Sequence, residues 1–128
     1  MAVDSVKGLR VLAVIDFKKG DIVSVYSGKV GTGQPRFSNP IDEKYTYSSN
    51  YNDYIVGIST LQFGKGVGSF INRVNVGEVK NCEIVRHCSK PLFYLTAVKD
   101  ITASDTDPVE LLTVYGQGYR FNHNIYLE

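Results

Sequence analysis

No stretch of this chain keeps apolar residues at a 3.6-residue spacing through three helical turns, and that limits it to a fold built mainly from strands. What it offers instead is a series of short runs rich in Val, Ile, Leu and Tyr, each ended by a turn-forming residue. Arg10 to Asp16 is the first, and Phe17 to Gly20 reads as the turn after it. Asp21 to Ser27 is a second strand ended by Gly28, and Asp53 to Ile58 a third. Cys82 to Arg86 and Leu92 to Val98 form a pair joined across Ser89-Lys90-Pro91, and Val109 to Tyr115 is the last, closed by Gly116. Ser69 to Arg73 has the length of a short helix or turn. The expectation is one mostly β domain over residues 1–128, with few short helices and no internal repeat.

Residues 31–52 break the pattern. They are rich in Gly, Pro, Ser, Asn and Tyr without a sustained period, so they read as a long loop or variable insert. The cluster Gly64-Lys65-Gly66-Val67-Gly68 is not a phosphate loop, because no GK[ST] sequence opens a helix after it; it reads as a turn.

Several functional classes are excluded by what the chain contains. Fourteen Lys and Arg against thirteen Asp and Glu give a net charge of +1, too little for binding to nucleic acid or membrane surfaces through bulk charge. No apolar run reaches the ~18–20 residues of a membrane span, and the first residues lack the order of a signal peptide. With no Asn-x-Ser/Thr site either, an intracellular protein is expected. Cys82 and Cys88 cannot fill a tetrahedral zinc site, and read as two reduced, semi-buried thiols. Neither His87 nor His123 has a Ser or Cys partner at a spacing that suggests a hydrolytic triad.

The order of short elements is more specific than any one of them. It runs Lys-Gly-Leu-Arg-Val-Leu-Ala (7–13), Lys-Lys-Gly-Asp-Ile-Val (18–23), Tyr-Ser-Gly (26–28), Tyr-Ile-Val (54–56), Phe-Ile-Asn (70–72), Asn-Cys-Glu (81–83), Ala-Val-Lys-Asp-Ile (97–101) and Glu-Leu-Leu-Thr-Val-Tyr-Gly (110–116). This succession resembles the SET domain of protein lysine methyltransferases, from about Lys7 to Phe121. The resemblance implies a fold of several small sheets with a C-terminal pseudoknot, and S-adenosylmethionine as methyl donor.

Residue by residue, the resemblance implies these roles. Gly8, Leu9 and Arg10 match the loop that touches the methyl donor, with Arg10 where a second glycine is usual. Asn72 matches the asparagine holding the donor's amino-acid end, and Arg73 stands where the family has histidine. Asn81-Cys82 follow after a longer spacer than usual. Tyr115 matches the catalytic tyrosine, whose hydroxyl, with nearby carbonyl oxygens, holds amine and methyl in line. Tyr26 matches a tyrosine lining the substrate lysine channel, where desolvation favours the neutral amine and an aromatic wall suits the lysine stem. Tyr119 and Phe121 sit where the family places aromatics that close over donor and lysine. Thr113 and Val114 beside Tyr115 suggest a channel roomy enough for more than one methyl group.

The family's zinc-binding flanking modules are absent from this sequence, as in its minimal, virus-type members. A lid would then come from the 117–128 tail or a second subunit, which leaves a homodimer open. The acidic residues Asp100, Asp105, Asp107 and Glu110 form a stretch suited to a basic peptide such as a histone tail, or simply a solvated loop. A protein substrate in the nucleus is implied. Two alternatives stand beside the enzyme: a SET-like peptide- or partner-binding module with weak or no catalysis, and an unrelated β-barrel interaction module.

Overall fold

In a computed structural model, residues 2–4, 10–37, 39–74 and 77–114 are described. They form four small sheets rather than one large one. The first contains β1 (Ala2–Asp4), β2 (Arg10–Ala13) and, later in the chain, β10 (Val109–Glu110), all antiparallel. The second sets β3 (Ile22–Val25) and β8 (Cys82–Arg86) on either side of β9 (Phe93–Ala97). In the third, β6 (Asp53–Gly57) lies between β4 (Gly28–Thr32) and β5 (Thr46–Ser48). The fourth is a two-residue parallel pair, β7 (Asn72–Arg73) with β11 (Leu112–Thr113).

The strand alternation sets the core. Along β9, Phe93, Leu95 and Ala97 are buried while Tyr94 and Thr96 are half-exposed; a period of two puts one face inward. Asp53, Ile55 and Gly57 do the same on β6, and Val11 and Ala13 on β2. These faces meet Val23, Tyr26, Phe70, Ile71, Cys82, Ile84, Ile101 and Leu111 in one cluster. Non-polar contact thus ties the sheets together where few hydrogen bonds cross between them.

The glycine cluster is a turn, as expected, and it is also a close-packing device. Gly64 has φ +81. A Cβ on Gly66 would stand 2.3 Å from the Val25 carbonyl oxygen, and one on Gly68 would meet Leu95 Cδ1 at 2.6 Å. The 3-10 turn Gly68–Phe70 therefore lies directly on β3, where it delivers Phe70 and Ile71 to the core and Asn72 to β7.

Two expectations change. Residues 31–52 are not an unstructured loop: they carry the end of β4, a short helix α1 (Pro40–Lys44) and β5. Asn39 caps the helix by accepting from the Asp42 N–H at 2.8 Å, Pro40 occupies its first turn, and Thr46 Oγ1 donates to the Asp42 carbonyl at 2.6 Å. The residues that suggested a loop are the ones a helix start uses. Second, the run Val109 to Tyr115 is not one strand, because it divides at Leu111 between β10 and β11, which serve different sheets. Of the expected pseudoknot, the described part is β11 beside β7; the 117–128 tail lies outside the described residues.

The cysteines also divide. Both thiols are free, but Cys82 is buried and Cys88 is exposed. Burial pushes the Cys82 thiol up to about 12, so it behaves as a core apolar group. Among the described residues, no cluster of His, Cys, Asp and Glu could hold a metal, and no helix is long and apolar enough to cross a membrane.

One ion pair joins the third sheet to the second. Arg86 Nη2 and Nε reach Asp53 Oδ2 at 2.6 and 3.2 Å, Ser49 Oγ donates to Asp53 Oδ1, and the Tyr51 ring centroid lies 4.2 Å from Arg86 Cζ. Burial opposes ionisation of Asp53, but the hydrogen bonds from Arg86 and Ser49 and the charge of Arg86 outweigh it, holding the carboxyl below its usual range. Stability from this pair is complete above the unfolded carboxylate value near ~4 and declines as pH falls through the lower folded value. Asp53→Ala is expected to cost about 3 kcal/mol at neutral pH by leaving the largely covered Arg86 guanidinium without its carboxylate. Urea unfolding should also show a shallower loss of stability toward acid in the variant than in the wild type.

Candidate functional site

The site grows from the point where β10 becomes β11. There the chain leaves β2, with Leu111 N–H donating to the Val11 carbonyl at 2.8 Å, and turns to run parallel with β7. Changing sheets strands backbone groups on both sides of Leu111, and Asn81 satisfies them. Its Nδ2 donates to the Glu110 carbonyl at 2.9 Å and its Oδ1 accepts from the Leu112 N–H at 2.8 Å. Its own N–H donates to the Leu112 carbonyl at 3.0 Å and its carbonyl accepts from Val98 N–H at 2.9 Å. At 7% exposure, this side chain uses its donor and its acceptor on one backbone turn.

The same turn brings three separate stretches of sequence together. Arg10 begins β2, Asn72 lies on β7, and Glu110 ends β10. The Glu110 carboxylate accepts from Asn72 Nδ2 at 3.3 Å through Oε2, and its Oε1 lies 3.8 Å from Arg10 Nη1. Their accessibility is intermediate, with the Arg10 and Glu110 side chains 30% and 22% exposed, so the cluster stays open to solvent and a ligand. Asn72 and Arg73 are both exposed on β7. Their strand is held by Val74 N–H donating to the Thr113 carbonyl at 3.0 Å. Thr113 itself is fully buried, and its Oγ1 has no hydrogen-bond partner among the described residues.

The expected site residues are therefore placed as follows. Arg10, Asn72 and Arg73 gather around β10 and β11. Gly8, Leu9, Tyr115, Tyr119 and Phe121 lie outside the described residues, and Thr113 ends β11 two positions before Tyr115. Tyr26 is in the core at 1% exposure, with its hydroxyl donating to the Tyr45 carbonyl at 2.5 Å and its ring against Gly57. Tyr45 in turn meets Phe70 edge-on at 5.8 Å. The acidic stretch separates: Glu110 joins the cluster, Asp100 accepts from the Lys19 N–H at 2.9 Å, and Asp105 and Asp107 are exposed. Asn81 had no role in the sequence reading, and Glu110 had one only as part of the acidic stretch, not in the donor site. Their signal was their place in the Asn-Cys-Glu (81–83) and Glu-Leu-Leu-Thr-Val-Tyr-Gly (110–116) elements.

A donor set containing guanidinium, amide and carboxylate matches a zwitterionic amino-acid group, whose carboxylate needs donors and whose ammonium needs an acceptor. The amino-acid end of S-adenosylmethionine is such a group, so the residues present fit it.

Solved structures with the same arrangement of sheets decide the fold. A structure titled CpSET8 from Cryptosporidium has a TM-score of 0.62 at 23% identity, covering 90% of this chain and 56% of its own. The fold is that of a SET domain. A Plasmodium falciparum protein titled a putative histone methyltransferase gives 0.60 at 19%, over 91% of this chain and 92% of its own. The SET domain of ATXR5, solved with methylated histone H3, gives 0.63 at 20%, over 89% and 55%. The chain thus spans little more than half the length of two of these three SET structures. No protein-family model and no curated protein matches the sequence.

Replacing Asn81 by Ala should cost about 2–3 kcal/mol, since the Glu110 carbonyl and Leu112 N–H lose their side-chain partners at once. Equilibrium urea unfolding measures this. Hydrogen exchange should show the loss of protection concentrated at Leu112, Val74 and Leu111.

Proposed function

We propose that this SET-fold chain is an S-adenosylmethionine-dependent protein lysine N-methyltransferase acting on a histone or another basic protein tail. The observation that carries the reading is the meeting of Arg10, Asn72 and Glu110 beside the strand that leads to Tyr115. The titles of two similar structures, one a putative histone methyltransferase and one a SET domain in complex with histone H3, support a protein substrate. An intracellular and, for a histone tail, nuclear location goes with that substrate.

When bound, S-adenosylmethionine supplies a methyl group on a positively charged sulfur. Everything else falls to the chain. Asn72 and Arg10, with the Gly8–Arg10 loop, hold the amino-acid end, and Arg73 takes the place of the family's histidine. The substrate lysine must arrive as a neutral amine, and an aromatic channel of Tyr119 and Phe121 would favour that form by desolvation, while Tyr26 packs in the core with its hydroxyl on the Tyr45 carbonyl. The Tyr115 hydroxyl would orient the amine in line with the methyl group, whose transfer to that nitrogen is the chemistry the bound donor would supply. The amine proton leaves to solvent, so no side chain must serve as a base of ordinary pKa. Exposed Asp105 and Asp107 add a weak attraction for a basic tail.

Arg10 and Arg73 favour a second reading, a SET-fold module that binds a peptide or partner with little or no catalysis, because each replaces a residue of the family's donor-binding motifs. Calorimetric titration of S-adenosylmethionine and S-adenosylhomocysteine, followed by methylation assays on histones, separates the two. The enzyme reading expects measurable binding, weakened about tenfold or more in Asn72→Ala, and turnover lowered at least about a hundredfold in Tyr115→Phe. Absence of binding to the wild type at millimolar ligand would leave only the binding module.

A further inference from the structure

We propose that Glu110 is a positioning residue that makes the donor site tolerate a sulfonium: its carboxylate offsets the charge of Arg10 and so sets the preference for S-adenosylmethionine over S-adenosylhomocysteine. The inference rests on the donor-binding reading above, in which the Glu110 carboxylate is an acceptor for the amino-acid end, and adds to it a part in telling donor from product.

Arg10 stands in a loop position that the SET resemblance usually fills with glycine, so this chain brings a permanent positive charge to that position, three residues after Lys7. The two ligands of such a site have nearly the same shape but differ by one charge. The donor carries a positive sulfur and the product a neutral thioether. An unbalanced guanidinium would therefore repel the donor and spare the product, which is the wrong discrimination for a methyltransferase. Two unit charges on the order of 8 Å apart in a half-wet site, at an effective dielectric of ~40, change an equilibrium constant about fivefold.

The structure supplies the counter-charge. Glu110 Oε1 lies 3.8 Å from Arg10 Nη1, while Oε2 accepts from Asn72 Nδ2 at 3.3 Å. The carboxylate thus ties the guanidinium to the amide on β7. Its own backbone is fixed from the other side by Asn81 Nδ2 on the Glu110 carbonyl at 2.9 Å and by the pairing of Glu110 with Leu12. A side chain serving only packing or solubility would not need an anchored backbone and two site residues as partners. Glu110 also differs from Asp105 and Asp107 in the same acidic stretch, which lie in an exposed turn.

Glu110→Gln keeps the shape and an acceptor for Asn72 while removing the charge. Calorimetry with both ligands should show affinity for S-adenosylmethionine falling about threefold to tenfold more than affinity for S-adenosylhomocysteine. The difference should shrink in 1 M salt, which screens a half-exposed pair. Arg10→Gly combined with Glu110→Gln should restore the wild-type ratio. Arg10→Gln alone, which leaves Glu110 unbalanced, should move the ratio the other way, and it serves if the Glu110 variant does not fold. Equal losses for the two ligands, or a ratio unchanged in every variant, would show that the carboxylate does not tell sulfonium from thioether and overturn the proposal while leaving the donor site intact. Failure of the wild type to bind either ligand would overturn the donor-binding reading and this proposal together.

Discussion

The described part of this fold depends on one amide. Asn81 sits where the chain passes from an antiparallel partner, β2, to a parallel one, β7, and its side chain bonds the backbone on both sides of Leu111. A strand that changes sheets must leave a carbonyl and an N–H facing away from either ladder, and in a buried position each would cost about as much as a lost hydrogen bond. The Asn side chain carries donor and acceptor on one short planar amide, which can reach both groups from the adjacent backbone. The position of Asn81 before the buried β8 residue Cys82 ties this junction to the second sheet.

From that junction the site follows by geometry. Holding β11 beside β7 sets the backbone that leads to Tyr115 against Asn72 and Arg73. Holding β10 beside β2 sets Glu110 against Arg10. The turn that supplies Asn72 is placed by contact, because Gly66 and Gly68 let the backbone press onto Val25 where any Cβ would intrude. The small sheets are thus less a scaffold around a pocket than a means of bringing three short segments, distant in sequence, to one polar cluster. There the Arg10 charge is met by a local partner, Glu110, rather than by the overall field of a chain of net charge +1.

Much of this was legible in the residues. Cys82–Arg86 and Phe93–Ala97 read as strands because their alternation of apolar and polar positions is the pattern of a half-buried sheet, and they pair as expected. The ordered motifs pointed to the SET fold that the similar structures show. The split of Val109 to Tyr115 was not legible, since a continuous run of strand formers carries no mark of where its partner changes; the mark is Asn81, far away in sequence. The helix in 31–52 was hidden by reading Asn39-Pro40 as loop residues rather than as a cap and first turn. Asp53 and Arg86 gave no local signal that they would meet, because an ion pair across two sheets exists only in the tertiary structure.

The central claim, that Arg10, Asn72 and Glu110 form a donor site at the β10–β11 junction, is tested most directly by mapping backbone amide NMR shifts as S-adenosylhomocysteine is added. The account predicts saturable changes concentrated at Arg10, Val11, Asn72 to Val74 and Glu110 to Thr113, with Tyr54 and Val30 on the third sheet unmoved. Saturable changes centred on the third sheet, or no change at millimolar ligand, would contradict it.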